Sequence, residues 1–328
     1  MNVLVTGGAG YVGGAAVKAL AAAGHDVWVY DNLCTGHRAA VTQGRLIEGD
    51  LHDSQRLREA LREKQIEAVL HFAAFAYVGE SVSDPAKYYH NNVGGSLALL
   101  DAMRAEGVWR IVFSSTTATY GVPNRIPIRE DEPQHPINPY GFTKLVVERA
   151  LADYANAYGL GYAALRYFNA AGALADGSHG EDHQPETHLI PLVLQVALGQ
   201  REKITVFGDD YPTPDGTCVR DYVHIEDLAA AHVQALERLT PGEGLKLNLG
   251  TGRGYSVRQV IDACRRVSGR TITEEIGQRR AGDPAELVAD ASLAREVLSW
   301  QPRYTEIEAI VETAWRWHRD HPDGYRQD

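Results

Sequence analysis

The amino-acid sequence predicts an α/β fold, a doubly wound parallel sheet followed by a smaller C-terminal α/β domain. Three observations carry that expectation. Over the first half of the chain, short apolar runs alternate with segments whose apolar residues recur at helical spacing, the pattern of a buried parallel sheet covered by helices on both faces. A glycine-rich turn separates the first apolar run from the first helical segment. After about Asn169 the texture changes: residues 172–187 are rich in Gly, Asp, His and Pro, and 208–217 read GDDYPTPDGT, turn chemistry typical of binding loops.

Residues 3–5 read as the first buried strand and 11–23 as the first helix. Strands follow at 27–30, 68–71 and 111–113, with helical spacing at 54–64 and 85–105 between them. A longer helix over 139–158 leads to an apolar run at 162–165. Beyond it the elements are short: strands at 205–207 and 246–249, and helices at 257–267 and 307–318. The expected division is 1–169 and 170–328, with segments such as 224–249 returning to the first domain. Trp315 and Trp317, on the last helix, are expected to pack and cap the second domain.

The length of 328 residues is ample for a buried core, and 44% hydrophobic with 23% charged residues is the balance of a globular protein. A formal charge of −11 repels phosphate backbones and anionic lipid, so neither nucleic acid nor membrane is an expected partner. No apolar run reaches the roughly 18 residues of a membrane span. Met1-Asn2-Val3-Leu4-Val5 carries no basic-then-apolar leader, and the expected location is the cytoplasm. Cys34, Cys218 and Cys264 are too widely spaced for a disulfide framework or a cysteine metal cluster.

The turn V-L-V-T-G-G-A-G-Y-V-G sets Gly7, Gly10 and Gly13 in a GxxGxxG spacing. Glycines there let the backbone turn sharply and approach a pyrophosphate, which rests on free N–H groups at the positive end of the helix. A turn kept only for close helix–sheet packing is the competing explanation. Context favours the dinucleotide, because the second strand ends at Asp31, whose carboxylate accepts hydrogen bonds from ribose hydroxyls and repels a 2′-phosphate. The expected cofactor is therefore NAD, on a Rossmann-type fold. Asp50 and Leu51 are placed to flank the adenine, unless Asp50 caps the next helix.

Tyr140 and Lys144 form a Y-x-x-x-K pair just after Pro139, a plausible helix start, so that both share one helical face. An ordinary phenol titrates near 10, and bringing it to about 7 takes around 4 kcal/mol of preferential stabilisation of the phenolate. A nearby ammonium and an oxidised nicotinamide supply positive charge for that. Tyr140 would then act as a base on an alcohol. The strand run into FSSTTATYG at 113–121 places hydroxyls at its carboxyl end, where a ligand crevice opens.

In this order, the glycine motif, acidic strand end, Ser/Thr run and Y-x-x-x-K resemble the extended short-chain dehydrogenase/reductase family. HFAAFAYVGES at 71–81, YYHNNVGGSL at 88–97, NPYGFTKLVVE at 138–148, LRYFNAAGA at 165–173 and GDDYPTPDGTCVRDYVHIEDLA at 208–229 resemble its UDP-glucose 4-epimerase branch, up to HPDGY at 321–325. The resemblance implies interconversion of UDP-glucose and UDP-galactose by an isomerase that retains NAD, oxidises C4 and re-reduces the 4-keto sugar on its other face. It makes Tyr140 the base, Lys144 the ligand of the nicotinamide ribose and Thr116 the hydroxyl partner. It assigns Gly7, Gly10, Tyr11, Val12, Gly13, Asp31, Asn32, Asp50, Leu51, Phe72, Asn91 and Phe168 to the cofactor. It assigns Asn169, His188, Leu189, Phe207, Arg220, Tyr222, Arg280, Asp283 and Leu287 to the nucleotide sugar. Arg220 and Arg280 would neutralise the diphosphate, unless they are surface partners of Asp221 and Asp283. A firmly held UDP with a loosely held hexose would let the keto sugar rotate. The helices at 85–106 and 139–158 are expected to pair two subunits, as in the family.

Three positions depart from the family pattern. Ala76 stands where several members carry a cofactor-contacting Lys, and His188 where others have Asn. Leu287 holds a gatekeeper position that is Tyr in some members and Cys in others, which leaves acceptance of N-acetylated UDP-hexoses open. A UDP-xylose/UDP-arabinose 4-epimerase, or dual activity, is the nearest alternative. A 4,6-dehydratase is disfavoured, because Thr117 and Ala118 stand where that chemistry needs Asp-Glu. A non-catalytic NAD sensor is the alternative of a different class. His71 reads as a hydrogen-bonded core residue, and His179, His183 and His188, with no cysteine beside them, are not expected to bind metal.

Overall fold

The side chains of β1 (Asn2–Thr6) alternate between two apolar clusters: Val3 and Val5 join one and Leu4 the other, all fully buried. That two-sided burial is the signature of an interior parallel strand. The computed structural model describes residues 1–280 and 283–325. In chain order, β1 is followed by α1 (Tyr11–Ala22), β2 (Asp26–Asp31), β3 (Arg45–Glu48), α2 (Ser54–Glu63) and β4 (Ala68–His71). Next come α3 (Val78–Ser83), α4 (Pro85–Tyr88), α5 (Gly95–Glu106), β5 (Arg110–Thr116), α6 (Pro139–Tyr158) and β6 (Gly161–Tyr167).

These strands form one parallel sheet in the order β3-β2-β1-β4-β5-β6, the two-fold wound arrangement in which ligands bind beyond the carboxyl ends at the reversal between β1 and β4. On one face pack α2, α5 and α6 through Leu57, Leu61, Leu99, Val147 and Leu151. On the other, Val17 and Leu20 of α1 pack with Leu228 and Leu236. Asn138 caps α6, its side-chain oxygen accepting from the Gly141 amide at 2.9 Å, with Pro139 in the first turn.

The second half supplies β7 (Asn169–Ala171), α7 (Leu189–Ala197), β8 (Ile204–Phe207), β9 (Val219–His224), α8 (Ile225–Arg238) and β10 (Gly244–Leu249). It continues with β11 (Gly254–Ser256), α9 (Val257–Ser268), β12 (Glu274–Gly277), β13 (Glu286–Leu287), α10 (Ser292–Leu298) and α11 (Ile307–Asp320). β10 pairs in parallel with β6 and becomes the seventh strand of the main sheet. β7, β9, β11 and β13 make a separate small sheet, and β8 pairs with β12. Trp317 is 1% exposed and Trp315 packs on the cluster shared by α7, α9 and α11. No described helix is long and apolar enough to cross a membrane.

The structure corrects one element. The helix expected over 85–105 is split by a π-helical turn at Tyr89–Gly94. Within that wider turn the buried Asn92 amide pairs with both the N–H and the C=O of Phe75, each at 2.9 Å. It also donates to Thr143 Oγ1 of α6 at 3.2 Å. The bulge thus ties the loop after β4 to the helix that carries Tyr140.

Candidate active site

The loop after β1 has no room for side chains. Gly7 has φ +73°, and a Cβ on it would lie 2.5 Å from the Ala73 nitrogen. A Cβ on Gly13 would lie 2.2 Å from the Gly7 carbonyl oxygen. Gly10 begins α1, and no side chain caps the amides of Tyr11, Val12 and Gly13. A tight turn opening onto uncapped N–H groups is a cradle for a pyrophosphate, so the residues present fit NAD. Asp31, at the end of β2, accepts from the Ala9 and Leu33 amides, both at 2.9 Å. Burial pushes its carboxyl up and those two bonds pull it back. Each oxygen keeps a lone pair for a ribose hydroxyl.

Around this cradle, Asn32 donates to Asp50 at 2.8 Å, and Asp50 in turn accepts from the His52 amide at 2.9 Å. Asp50 is not the cap of the next helix, because Asp53 fills that role and accepts from the Arg56 amide at 3.0 Å. Leu51 and Phe168 are buried. Phe72 lies 4.7 Å from the His232 ring, and Asn91 donates to Asn92 at 3.0 Å. The Tyr11 hydroxyl donates to the Gly172 carbonyl at 2.6 Å, joining α1 to the second half of the chain.

Tyr140, Lys144 and Thr116 converge where β5 ends. Thr116 is buried, and the nearness of its hydroxyl pulls the Tyr140 phenol down. Lys144, 3% exposed, donates to the Ser114 carbonyl at 2.8 Å and sits 4.8 Å from the Phe113 ring centre. Burial pushes the phenol up, with the Thr116 hydrogen bond as the opposing pull. Burial also lowers the Lys144 ammonium to about 7. The expected lowering of the Tyr140 phenol draws on the Lys144 ammonium and the oxidised nicotinamide together, and in the folded chain burial works against it. Desolvation dominates both groups, and the ammonium is itself disfavoured where it stands. His71 is a core residue as expected, joined to Thr6 at 2.7 Å and Ser96 at 2.8 Å, and burial lowers it to about 3.

The residues assigned to the nucleotide sugar come from several elements of the second half. Asn169 pairs in register with Tyr222, and Leu287 with Arg220. Arg220 is ion-paired with Asp283 and donates to its own neighbour's carbonyl, that of Val219, at 2.7 Å. Asp221 is not its partner: it accepts from the Thr251 and Gly252 amides at 2.9 and 3.0 Å. Arg280 lies over the Phe207 ring at 4.1 Å. Leu189 opens α7, and His188 before it has Nδ1 2.6 Å from Glu181 Oε1. Near Ala76, Lys87 is bound to Glu80 at 2.7 Å and lies 4.1 Å from the Phe75 ring.

The model of the NAD dependent epimerase/dehydratase family matches residues 3–250. The chain belongs to that family. It is 56% identical over 316 residues to the UDP-glucose 4-epimerase of Corynebacterium glutamicum, covering 96% of this chain and 95% of the other. It is similar to the crystal structure of the UDP-glucose 4-epimerase of Brucella ovis in complex with NAD, with TM-score 0.93, 54% identity and coverage of 96% and 97%. It is also similar to the enzyme of that name from Stenotrophomonas maltophila with bound NAD and formylated UDP-arabinopyranose, with TM-score 0.95, 43% identity and coverage of 98% and 99%.

Within this epimerase/dehydratase frame, sequence reasoning missed the groups beneath Tyr140 and Lys144. Glu148, one turn beyond Lys144, is fully buried against Arg166 at 2.6 Å and accepts from Ser115 at 2.6 Å. Arg166 also donates to the Tyr120 hydroxyl at 2.8 Å. Tyr88 meets Tyr140 edge-on at 6.5 Å, and the Tyr167 hydroxyl lies 2.6 Å from Ser114 Oγ. An arginine inside an otherwise apolar strand, LRY, was the available signal for the buried pair.

Proposed function

We propose that this chain is a UDP-glucose 4-epimerase, interconverting UDP-glucose and UDP-galactose. The observation that carries the proposal is the junction of the Thr116–Tyr140–Lys144 group with the glycine cradle and Asp31 at the carboxyl end of one parallel sheet, in a chain with full-length relatives of that name. NAD supplies a two-electron acceptor that is returned to its starting state, so no redox partner is consumed. Tyr140, as phenolate, takes the O4 proton and later returns it, while the Thr116 hydroxyl bonds the phenol and holds it in line. Lys144 presents its ammonium from the same helix face. Arg220 and Arg280 are the cations for the diphosphate, with Asp283 orienting the first. The paired helices α5 and α6 carry Leu97, Phe142 and Tyr158 more than a third exposed, which supports a homodimer through this face.

The test is incubation of purified protein with UDP-galactose and no added NAD, followed by anion-exchange separation of the sugar nucleotides. An equilibrium mixture with UDP-glucose is expected, and Tyr140→Phe should lose at least about 1,000-fold in kcat. A variant that keeps its rate, or a wild-type protein inert to both hexoses with NAD supplied, overturns the assignment. In the second case UDP-pentoses become the substrates to try.

A further inference from the structure

The loop between β7 and α7 brings together four side chains that the epimerase chemistry does not use as a group. Glu181, His183, Glu186 and His188 each offer one donor atom, all four atoms lying within 4.8 Å of one another. His183 Nδ1 is 3.3 Å from Glu181 Oε1 and 3.6 Å from Glu186 Oε2. His188 Nδ1 is 2.6 Å from Glu181 Oε1 and 3.3 Å from Glu186 Oε1.

We propose that these four residues form a divalent-metal site of zinc type. Two imidazoles and two carboxylates are a complete nitrogen/oxygen set for tetrahedral zinc. Donors about 2.0–2.1 Å from such an ion stand about 3.3 Å from one another, which is the spacing of three of the four histidine–carboxylate approaches. Hydrogen bonding within the cluster satisfies these atoms only in part. Glu181 Oε1, His183 Nδ1 and His188 Nδ1 are buried atoms with no hydrogen-bond partner, and the Glu181 side chain is only 4% exposed. Four such donors packed this closely leave room among them for one cation to take the place of the protons. Two carboxylates also match the charge of a dication, which offsets the cost of burying them.

The surroundings hold the donors in place. The Thr187 and His188 amides bond Glu186 Oε1 at 2.7 and 2.8 Å. The Glu181 carbonyl accepts from Trp317 Nε1 at 3.2 Å. Tyr11 and Tyr77 present ring edges to His183 at 6.2 and 5.9 Å. His179, in the same loop, is excluded: its two nitrogens are engaged by the Tyr11 carbonyl and the Tyr325 hydroxyl, both at 2.6 Å. The sequence expectation of no metal here rested on the absence of cysteine and of a fixed ligand spacing among the histidines, without the carboxylates. The carboxylates interleaved as E-x-H-x-x-E-x-H complete the set. Four protein donors close the coordination shell, so the ion is a structural pin and not a Lewis acid. It fixes the loop that delivers His188 and Leu189, and on the epimerase assignment its loss raises KM for the nucleotide sugar more than it lowers kcat.

The test is metal content of the full-length protein after chelator treatment, dialysis and readdition of zinc, measured by plasma mass spectrometry. About one zinc per chain is expected, with His183→Asn and the near-isosteric Glu181→Gln each weakening zinc binding more than about 100-fold. His135→Asn, an exposed histidine elsewhere, serves as control and should bind as wild type. Circular dichroism establishes that each variant is folded. Cobalt(II) in place of zinc should give the intense visible absorption of a tetrahedral centre. No stoichiometric zinc, equal binding by folded His183→Asn and Glu181→Gln, or a weak octahedral cobalt spectrum overturns the site, whatever the substrate of the enzyme proves to be.

Discussion

Replacing Thr116 by valine removes one hydroxyl from the site and little else. In the folded chain burial raises the Tyr140 phenol, and the Thr116 hydrogen bond is the one opposing influence on it. A hydrogen bond to a charged group contributes about 1.5–3 kcal/mol. Its loss leaves burial unopposed and raises the phenol further. At 1.36 kcal/mol per tenfold, kcat near neutral pH should fall about 10–100-fold, and the rising limb of the pH–kcat profile should move to higher pH. Thr116 Oγ1 also accepts from the Ala118 amide at 3.2 Å, so about 1 kcal/mol of stability is lost as well. Thr116→Ser restores both bonds. The assay is kcat and KM for UDP-galactose across pH 6–10 for the two variants, with chemical denaturation alongside. A valine variant with wild-type kcat at pH 7 and an unmoved limb would show that Thr116 does not set the phenol.

Arg166→Met strips the partner from the buried Glu148 and should cost about 3–5 kcal/mol in urea unfolding. Burial alone would raise the Glu148 carboxyl, but Arg166 and Ser115 outweigh it and hold it below its usual range. Its contribution is therefore present above the unfolded-state value of about 4.3 and lost as pH falls through the lower folded one, and the variant should lack that acid-side loss. Gly13→Ala places a methyl 2.2 Å from the Gly7 carbonyl, and the purified variant should carry less than about a tenth of the wild-type NAD, measured after denaturing release. In cofactor-free protein Lys144 titrates near 7 against about 10.4 unfolded, so the unfolded chain binds more protons between those values. Stability should thus rise from pH 7 to 9 in thermal melts, and Lys144→Met should flatten the slope.

What the sequence disclosed follows from where the information is local. The bounds of α1 and α6 were legible because a glycine turn and the pair Asn138–Pro139 mark their starts. β9 and α8 were not read, because His224 and Ile225 join strand to helix with no turn residue between them. α7 was hidden by Pro191 in its first turn, a place that tolerates proline but looks like a loop. In the site, Tyr140, Lys144 and Thr116 stood in recognisable motifs. The pairing of Arg220 with Asp283, 63 residues apart, is created by β9 and the approach to β13, and no local pattern encodes it.

The position of β10 bears on how the molecule is made. The main sheet takes its seventh strand from residues 244–249, after the chain has run through β7, β8 and β9 of the other half. While the nascent chain is shorter than that, β6 offers an unpaired edge, and the nucleotide-binding half cannot finish folding ahead of the rest. The helix α8, which covers α1, arrives equally late. A chain truncated before residue 244 therefore leaves β6 as an open sheet edge for the quality-control machinery to find.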